Sequence, residues 1–143
     1  MQRLIENILL PDANGQQIAN TATYTEPSLT YNIAYGNDGQ IRGCCDELAA
    51  MRQAIYKIIN TERYTYLIYS WDYGIELADL FGQPIPYVYA ELQRRITEAL
   101  LNDDRITKVY GFEFSNKRED VLAVFNVDTI YGTITGVQKE LIA

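Results

Sequence analysis

Histidine is absent from this 143-residue chain. That removes the commonest metal ligand and the commonest general base near neutral pH. Cysteine is scarce, with Cys44 and Cys45 adjacent in sequence. A vicinal disulfide is strained and no second cysteine pair could complete a zinc site, so the two read as reduced small residues at a helix start. Positive charge is also short: 12 basic residues stand against 19 acidic ones, a net charge of −7. Phosphate binding needs a concentrated basic face, so no nucleic-acid partner is expected. Long apolar runs are missing too. Nothing approaches the roughly 18 residues of a membrane span, and the opening MQRLIENILLPDANG lacks the apolar core of a signal peptide. Neither secretion by a signal peptide nor a membrane partner is expected, and synthesis in a reducing cytoplasm is the default.

Missing motifs exclude further classes. There is no Walker-type phosphate loop, no GxGxxG after a strand, and no HExxH without histidine. GxSxG is absent, and a serine triad would lack its base. Asp103 and Asp104 could suggest a glycosidase, but such a pair needs carboxyls roughly 5–9.5 Å apart across a cleft, one with its pKa raised by an apolar pocket. Consecutive acids at a helix exit point in different directions, and solvated or salt-bridged carboxylates are the simpler reading. No catalytic residue, metal or cofactor is expected.

Apolar residues make up 48% of the chain and charged residues 22%, a globular composition. The length fits one domain that buries about two-thirds of its unfolded surface. Tyrosine is abundant, 12 against 4 phenylalanines. Its apolar body and polar tip suit surfaces buried in an assembly yet wet at the edge; the rim of an ordinary core is the alternative for any single one.

Residues 1–28 are polar and turn-rich and read as an N-terminal arm or extension that docks on a neighbour. Residues 29–143 read as a single domain. Leu29–Tyr35 and Gln40–Arg42 flank the turn signal Gly36-Asn37-Asp38-Gly39 and suggest a small hairpin. Asp46–Asn60 is a predicted helix with Leu48, Met51, Ile55, Ile58 and Ile59 on one face. Tyr64–Tyr69 is a short β-prone run ended by Trp71-Asp72-Tyr73-Gly74. Trp71 beside that turn reads as a core plug, with an interface hot spot as the alternative. A second helix is predicted over Pro86–Leu101, its stripe formed by Val88, Leu92, Ile96, Ala99 and Leu100. Ile106–Phe114, Val121–Thr129 and Tyr131–Val137 then show period two and read as three antiparallel strands, with turns at Ser115–Asp120 and near Ile130 and Tyr131. The fold class is α+β: two main helices packed on a small antiparallel sheet, with an N-terminal extended arm and hairpin.

Arg105, at the corner between the second helix and the first long strand, can reach carbonyls or carboxylates across an interface with its planar fork. A local pair with Asp103 or Asp104 is the alternative. The last strand, Tyr131–Val137, is uncharged and β-prone. An open edge of that kind is a template for a partner's strand; a strand covered by its own chain is the alternative.

Several ordered segments carry a resemblance: Ala54–Tyr73 (AIYKIINTERYTYLIYSWDY), Gly74–Leu80 with Gly82-Gln83-Pro84-Ile85, the helix Glu91–Leu101, and Asp103-Asp104-Arg105-Ile106. In this order they resemble the small wedge component of contractile-tail baseplates, in the version found in PBSX-like defective prophages. The resemblance runs from about Leu29 to Gly132. The wider family, which extends to type VI secretion, carries a Glu-Pro-Arg-Ile motif after the equivalent helix. Asp103-Asp104-Arg105-Ile106 looks like its counterpart: Arg105 is kept, Asp103 keeps the first acid in type, and Asp104 replaces the proline, which would have fixed φ and removed a donor.

The resemblance implies a structural, non-catalytic subunit of the inner baseplate. Its implied partners are the larger wedge proteins and the tail sheath protein, with tube or hub proteins as further candidates, in a six-fold hetero-oligomeric assembly on a virion or tail-like particle. It further implies that the first sheath ring is templated by strand exchange. The expected interface comprises Asp103, Asp104, Arg105 and Ile106 together with Tyr131, Thr133 and Thr135. Two alternatives stand beside it: a peptidoglycan-cleaving, lysozyme-like enzyme and a stand-alone cytosolic binding module.

Overall fold

Period-two alternation runs unbroken from Val121 to Thr129, and it builds the central strand of the protein. The computed structural model describes residues 25–33 and 40–142, preceded by two short antiparallel strands, β1 (Leu10–Pro11) and β2 (Gln17–Ile18). Most of the expected arm and the expected Gly36–Gly39 turn lie outside the described residues. Strands β3 (Thr30–Ile33) and β4 (Ile41–Cys45) form the expected hairpin. Helix α1 (Glu47–Ile59) follows, then a 3-10 turn at Ala78–Leu80 and helix α2 (Ile85–Leu101). The main sheet is antiparallel with order β5 (Ile106–Lys117), β6 (Asp120–Thr129), β7 (Gly132–Leu141). The α+β architecture expected from sequence is the one observed. Among the described residues, no helix is long and apolar enough to cross a membrane.

Val121, Ala123, Phe125 and Val127 of β6 are all buried. They join Met51, Ile55 and Ile59 of α1 and Leu92, Ile96 and Leu100 of α2 in one apolar cluster. Each such large side chain contributes about 1.5–3 kcal/mol on burial. The flanking strands do not alternate as cleanly. β5 shifts register against β6 twice, at Ile106/Lys108 and at Tyr110/Glu113, and β7 shifts once, opposite the Phe125–Val127 step. A bulge resets which side chains face the core. Phe112, Phe114 and Val137 thereby pack against the cluster, with Phe112 stacked on Phe125 at 5.2 Å between centroids.

Helix α1 begins where side chains satisfy its first amide, and α2 begins at prolines with no side-chain cap. Asp46 accepts from the Glu47 amide at 2.8 Å, and the Ser28 hydroxyl accepts from the same amide and donates to the Asp46 carboxylate. Those contacts, Ser28 first, hold the Asp46 carboxyl below its ordinary pKa. At α2 the start is one residue earlier than expected, with Pro84 at the cap and Pro86 inside the first turn, where a missing N–H costs nothing. Gln53, buried on α1, binds the hairpin through its side-chain amide. It accepts from Ile33 N at 2.9 Å and donates to Tyr31 O at 2.8 Å, two bonds of the kind a neighbouring strand would supply.

Four local expectations are corrected. Cys44 and Cys45, placed by sequence at the helix start, are strand residues that extend β4, and both are free thiols. The expected six-residue turn at Ser115–Asp120 contracts to Arg118 and Glu119, with Arg118 at φ 59, so β5 continues to Lys117. Tyr64–Tyr69 forms turns and no strand. Trp71 is 85% exposed and plugs nothing.

The last two belong to one loop. Ile75 N donates to Thr61 O at 2.9 Å and Arg63 N to Ile75 O at 3.1 Å, which draws the ends of segment 64–73 together in the manner of an Ω-loop. Gly74 sits in the neck at φ 91, where a Cβ would lie 2.5 Å from Thr61 O. The Arg63 guanidinium donates twice to Gly74 O, at 3.2 and 3.1 Å. The loop's apolar side chains point outward as a result. Gly74→Ala is expected to cost about 1–3 kcal/mol through backbone strain and this contact, read as a lower urea midpoint at unchanged slope. An unchanged midpoint would mean that the neck is not closed in this way.

Candidate functional site

Helix α2 ends at a corner built by its own carboxylate. Asp103 N donates to Leu100 O at 3.1 Å, and Ile106 N donates to Asp103 O at 3.0 Å, turning the chain directly into β5. The Asp103 carboxylate accepts from Arg105 N at 3.0 Å and from both edges of the guanidinium, Nε at 2.9 Å and Nη2 at 2.6 Å. This is a fork-on-fork ion pair in which both side chains are nearly buried, 12% and 10% accessible. Asp103 raises the Arg105 pKa above its already high ordinary value, against the opposing effect of burial, and the fields of Glu26 and Asp104 add to it.

The remaining donor of the guanidinium, Nη1, reaches Pro27 O at 3.2 Å, 78 residues earlier in the chain. Arg105 therefore ties the segment before β3 to the α2–β5 corner. Its backbone carbonyl accepts from Ile130 N at 2.9 Å, and Ile106 pairs with Thr129. The structure thus brings Asp103, Arg105 and Ile106 beside the β6–β7 turn that contains Tyr131. Ile106 is buried, 5% exposed, and belongs to the core; Asp104 is half-buried at the corner. Thr133 and Thr135 lie further along β7 and are exposed. Thr133 donates to Asp128 at 2.7 Å, and Tyr110 on β5 donates to the same carboxylate oxygen at 3.3 Å, linking all three strands. The sequence-predicted residues therefore fall into two groups, a locked corner and an exposed strand, joined at the β6–β7 turn.

A groove of about 610 Å³ opens beside the corner. Ala50 and Ala54 of α1 and Ala99 of α2 contribute small side chains to its lining, and Glu26, Asp103 and Asp104 contribute acids. Lys57 and Arg105 are its cations, and Arg105 is already engaged by Asp103. Sequence reasoning had no signal for the part of the wall formed by Glu26–Thr30, since only the fold brings that segment here. It also missed a cluster of large exposed apolar side chains. Tyr64, Leu67, Ile68 and Trp71 are 62%, 104%, 87% and 85% exposed on the 64–73 loop, and the base of that loop borders the groove through Ser70, Asp72 and Tyr73. The run of four apolar residues without a charge was visible, but β-propensity gave it the wrong meaning. Among the described residues, no group of three or more His, Cys, Asp and Glu is placed to hold a metal ion.

Two helices, a three-stranded antiparallel sheet and an ion-paired corner between them define a small α+β domain. Residues 23–132 match the profile of the contractile injection system sheath initiator family, and the chain belongs to that family. It is also 35% identical, over 129 residues covering 88% of this chain and 92% of the relative, to the phage-like element PBSX protein XkdS of Bacillus subtilis (strain 168). The family is a structural one, and the small-wedge resemblance carried by Ala54–Ile106 points to the same contractile apparatus.

The Asp103–Arg105 pair is expected to stabilise the domain. Arg105→Ala removes several charge-assisted hydrogen bonds and leaves Asp103 nearly buried without its partner, a loss of about 1.5–3 kcal/mol. Against a domain stability of roughly 5–15 kcal/mol, the variant stays folded with a lower melting temperature. Arg105→Lys recovers only part of the loss, because an ammonium cannot reproduce the fork. Equal melting temperatures for Arg105→Ala and the parent would show that the pair is not formed.

Proposed function

We propose that this protein starts the sheath of a contractile particle by lending the outer edge of β7 to an incoming strand of the tail sheath protein. In the same reading the Asp103–Arg105 corner, with the groove beside it, seats the domain on the larger wedge proteins of the baseplate. Neither act is enzymatic. The protein then resides in the baseplate of a virion or tail-like particle, within a six-fold hetero-oligomeric assembly in which tube or hub proteins are further neighbours. Residues 1–28 serve as an arm to a neighbouring subunit, anchored at its end on the wedge domain of residues 29–143 through Pro27 and Ser28.

The observation that carries the reading is the contrast between the two edges of the main sheet. A sheet edge left open invites another strand, and proteins that avoid this use bulges and charges, lysine above all. The β5 edge has both: two register shifts, plus Lys108, Glu113 and Lys117 along its length. From Gly132 to Val137, β7 carries no charged residue, and Thr133 and Thr135 are exposed there. β7 has one register shift of its own and carries Lys139 and Glu140 near its end, so the sheet is guarded along β5 and left open on β7 over the uncharged start, Gly132–Thr135. Strand addition gives affinity through main-chain hydrogen bonds, which suits a template that must be accepted by the same protein that later stacks on itself.

Co-expression with the sheath protein tests this. Thr135→Lys, a charge on the proposed acceptor edge, should leave the fold intact and abolish sheath nucleation, whereas a lysine at Ser115 on the β5 edge should not. Equal nucleation by both variants would remove the edge assignment. In a turbidity assay on cell walls the parent protein should produce no clearing. Clearing lost on Asp103→Asn or Asp104→Asn would replace the structural reading with an enzymatic one.

A further inference from the structure

Asn126 stands on the central strand at the point where both neighbours leave regular pairing. On one side β5 shifts register between Tyr110 and Glu113, around Gly111 at φ 68. On the other, β7 shifts opposite the Phe125–Val127 step, around Gly136 at φ 67. Both glycines occupy the left-handed region that a side chain rarely tolerates. The Asn126 amide lies between them. Its Oδ1 accepts from Gly136 N at 3.0 Å, and a Cβ on Gly111 would meet its Nδ2 at 2.7 Å. The side chain thus bonds one bulge and fills the space left open by the other.

Parity makes this contact consequential. Val127 pairs with Ile134 and Phe125 with Val137, so a step of two residues on β6 matches three on β7. Without the extra residue, Ala123 would face Gln138 and Val121 would face Glu140, in place of Lys139 and Leu141. Leu141, now buried, would turn outward, and a carboxylate would be driven against the apolar cluster. The bulge is what lets an irregular β7 follow a perfectly alternating β6.

We propose that Asn126 is the residue that positions the β7 bulge, and with it the local register of β7 on β6. Its side-chain amide holds the Gly136 bulge in place, and so decides which β7 side chains enter the core and which backbone groups line the outer edge. The consequence for sheath nucleation rests on the strand-addition reading above; the register itself does not.

Backbone NMR on the full chain tests the assignment. In the parent, cross-strand contacts should join Phe125 to Val137 and Val124 to Gln138. In Asn126→Ala these contacts should be lost to a slipped set, Phe125 to Gly136 and Val124 to Val137. The Gly136 amide should exchange on the order of tenfold faster, the loss of one hydrogen bond. Asn126→Asp keeps an acceptor for Gly136 N and should retain the parent pairing. Parent pairing and unchanged Gly136 exchange in Asn126→Ala would overturn the proposal. Should Asn126→Ala fail to fold, Asn126→Asp decides: a folded protein with parent pairing supports the assignment, and an unfolded one overturns it. Slipped pairing supports it whatever the sheath assay gives, so the two readings fail separately.

Discussion

The burial of one face of β6 is the constraint on which the rest of the structure depends. Val121, Ala123, Phe125 and Val127 are almost or wholly inaccessible, and both helices place their apolar stripes in the same cluster. A strand so regular leaves its neighbours to absorb every mismatch. They do so by bulging, at two places in β5 and one in β7, and the bulges set the character of the two sheet edges. The core thereby determines the outer surface: β5 becomes a broken, charged edge, and β7 keeps an uncharged stretch before its single bulge.

A second organising contact is the Asp103–Arg105 fork. Although the sequence marked Arg105 as a candidate for reaching a partner, its guanidinium is spent inside the chain, on Asp103 and on Pro27 O. In the proposed interface its part is to hold surfaces in place, since it fixes the segment that walls the groove and its carbonyl anchors the β6–β7 turn. Asp104, where a proline stands in the family motif, leaves the turn intact because Asp103 supplies the closing hydrogen bonds through its own carboxylate and carbonyl.

Much of the fold was legible in the sequence wherever periodicity and packing agree. Met51, Ile55, Ile58 and Ile59 announced α1, and Val88, Leu92, Ile96 and Leu100 announced α2, because an amphipathic stripe has only one place to go in a small domain. The alternation from Val121 to Thr129 announced β6 for the same reason. What was not legible depended on partners distant in sequence. Tyr64–Tyr69 has strand-like composition, but β-propensity expresses fit to a half-buried pleated surface, and here none is offered. Trp71 followed the same logic outward. The Pro27–Arg105 bond spans 78 residues and left no local mark. For the candidate site, residue types were readable and their roles were not: Arg105 was found, while its inward orientation and the wall formed by Glu26–Thr30 required the fold.

Sheath nucleation by strand addition depends on an open β7 edge. Hydrogen–deuterium exchange of this protein, free and bound to the sheath protein, measures it most directly. The predicted result is new amide protection along Gly132–Leu141, with the amides of Ile106–Lys117 unchanged. A stable complex whose protection falls on β5, or on neither edge, would contradict it.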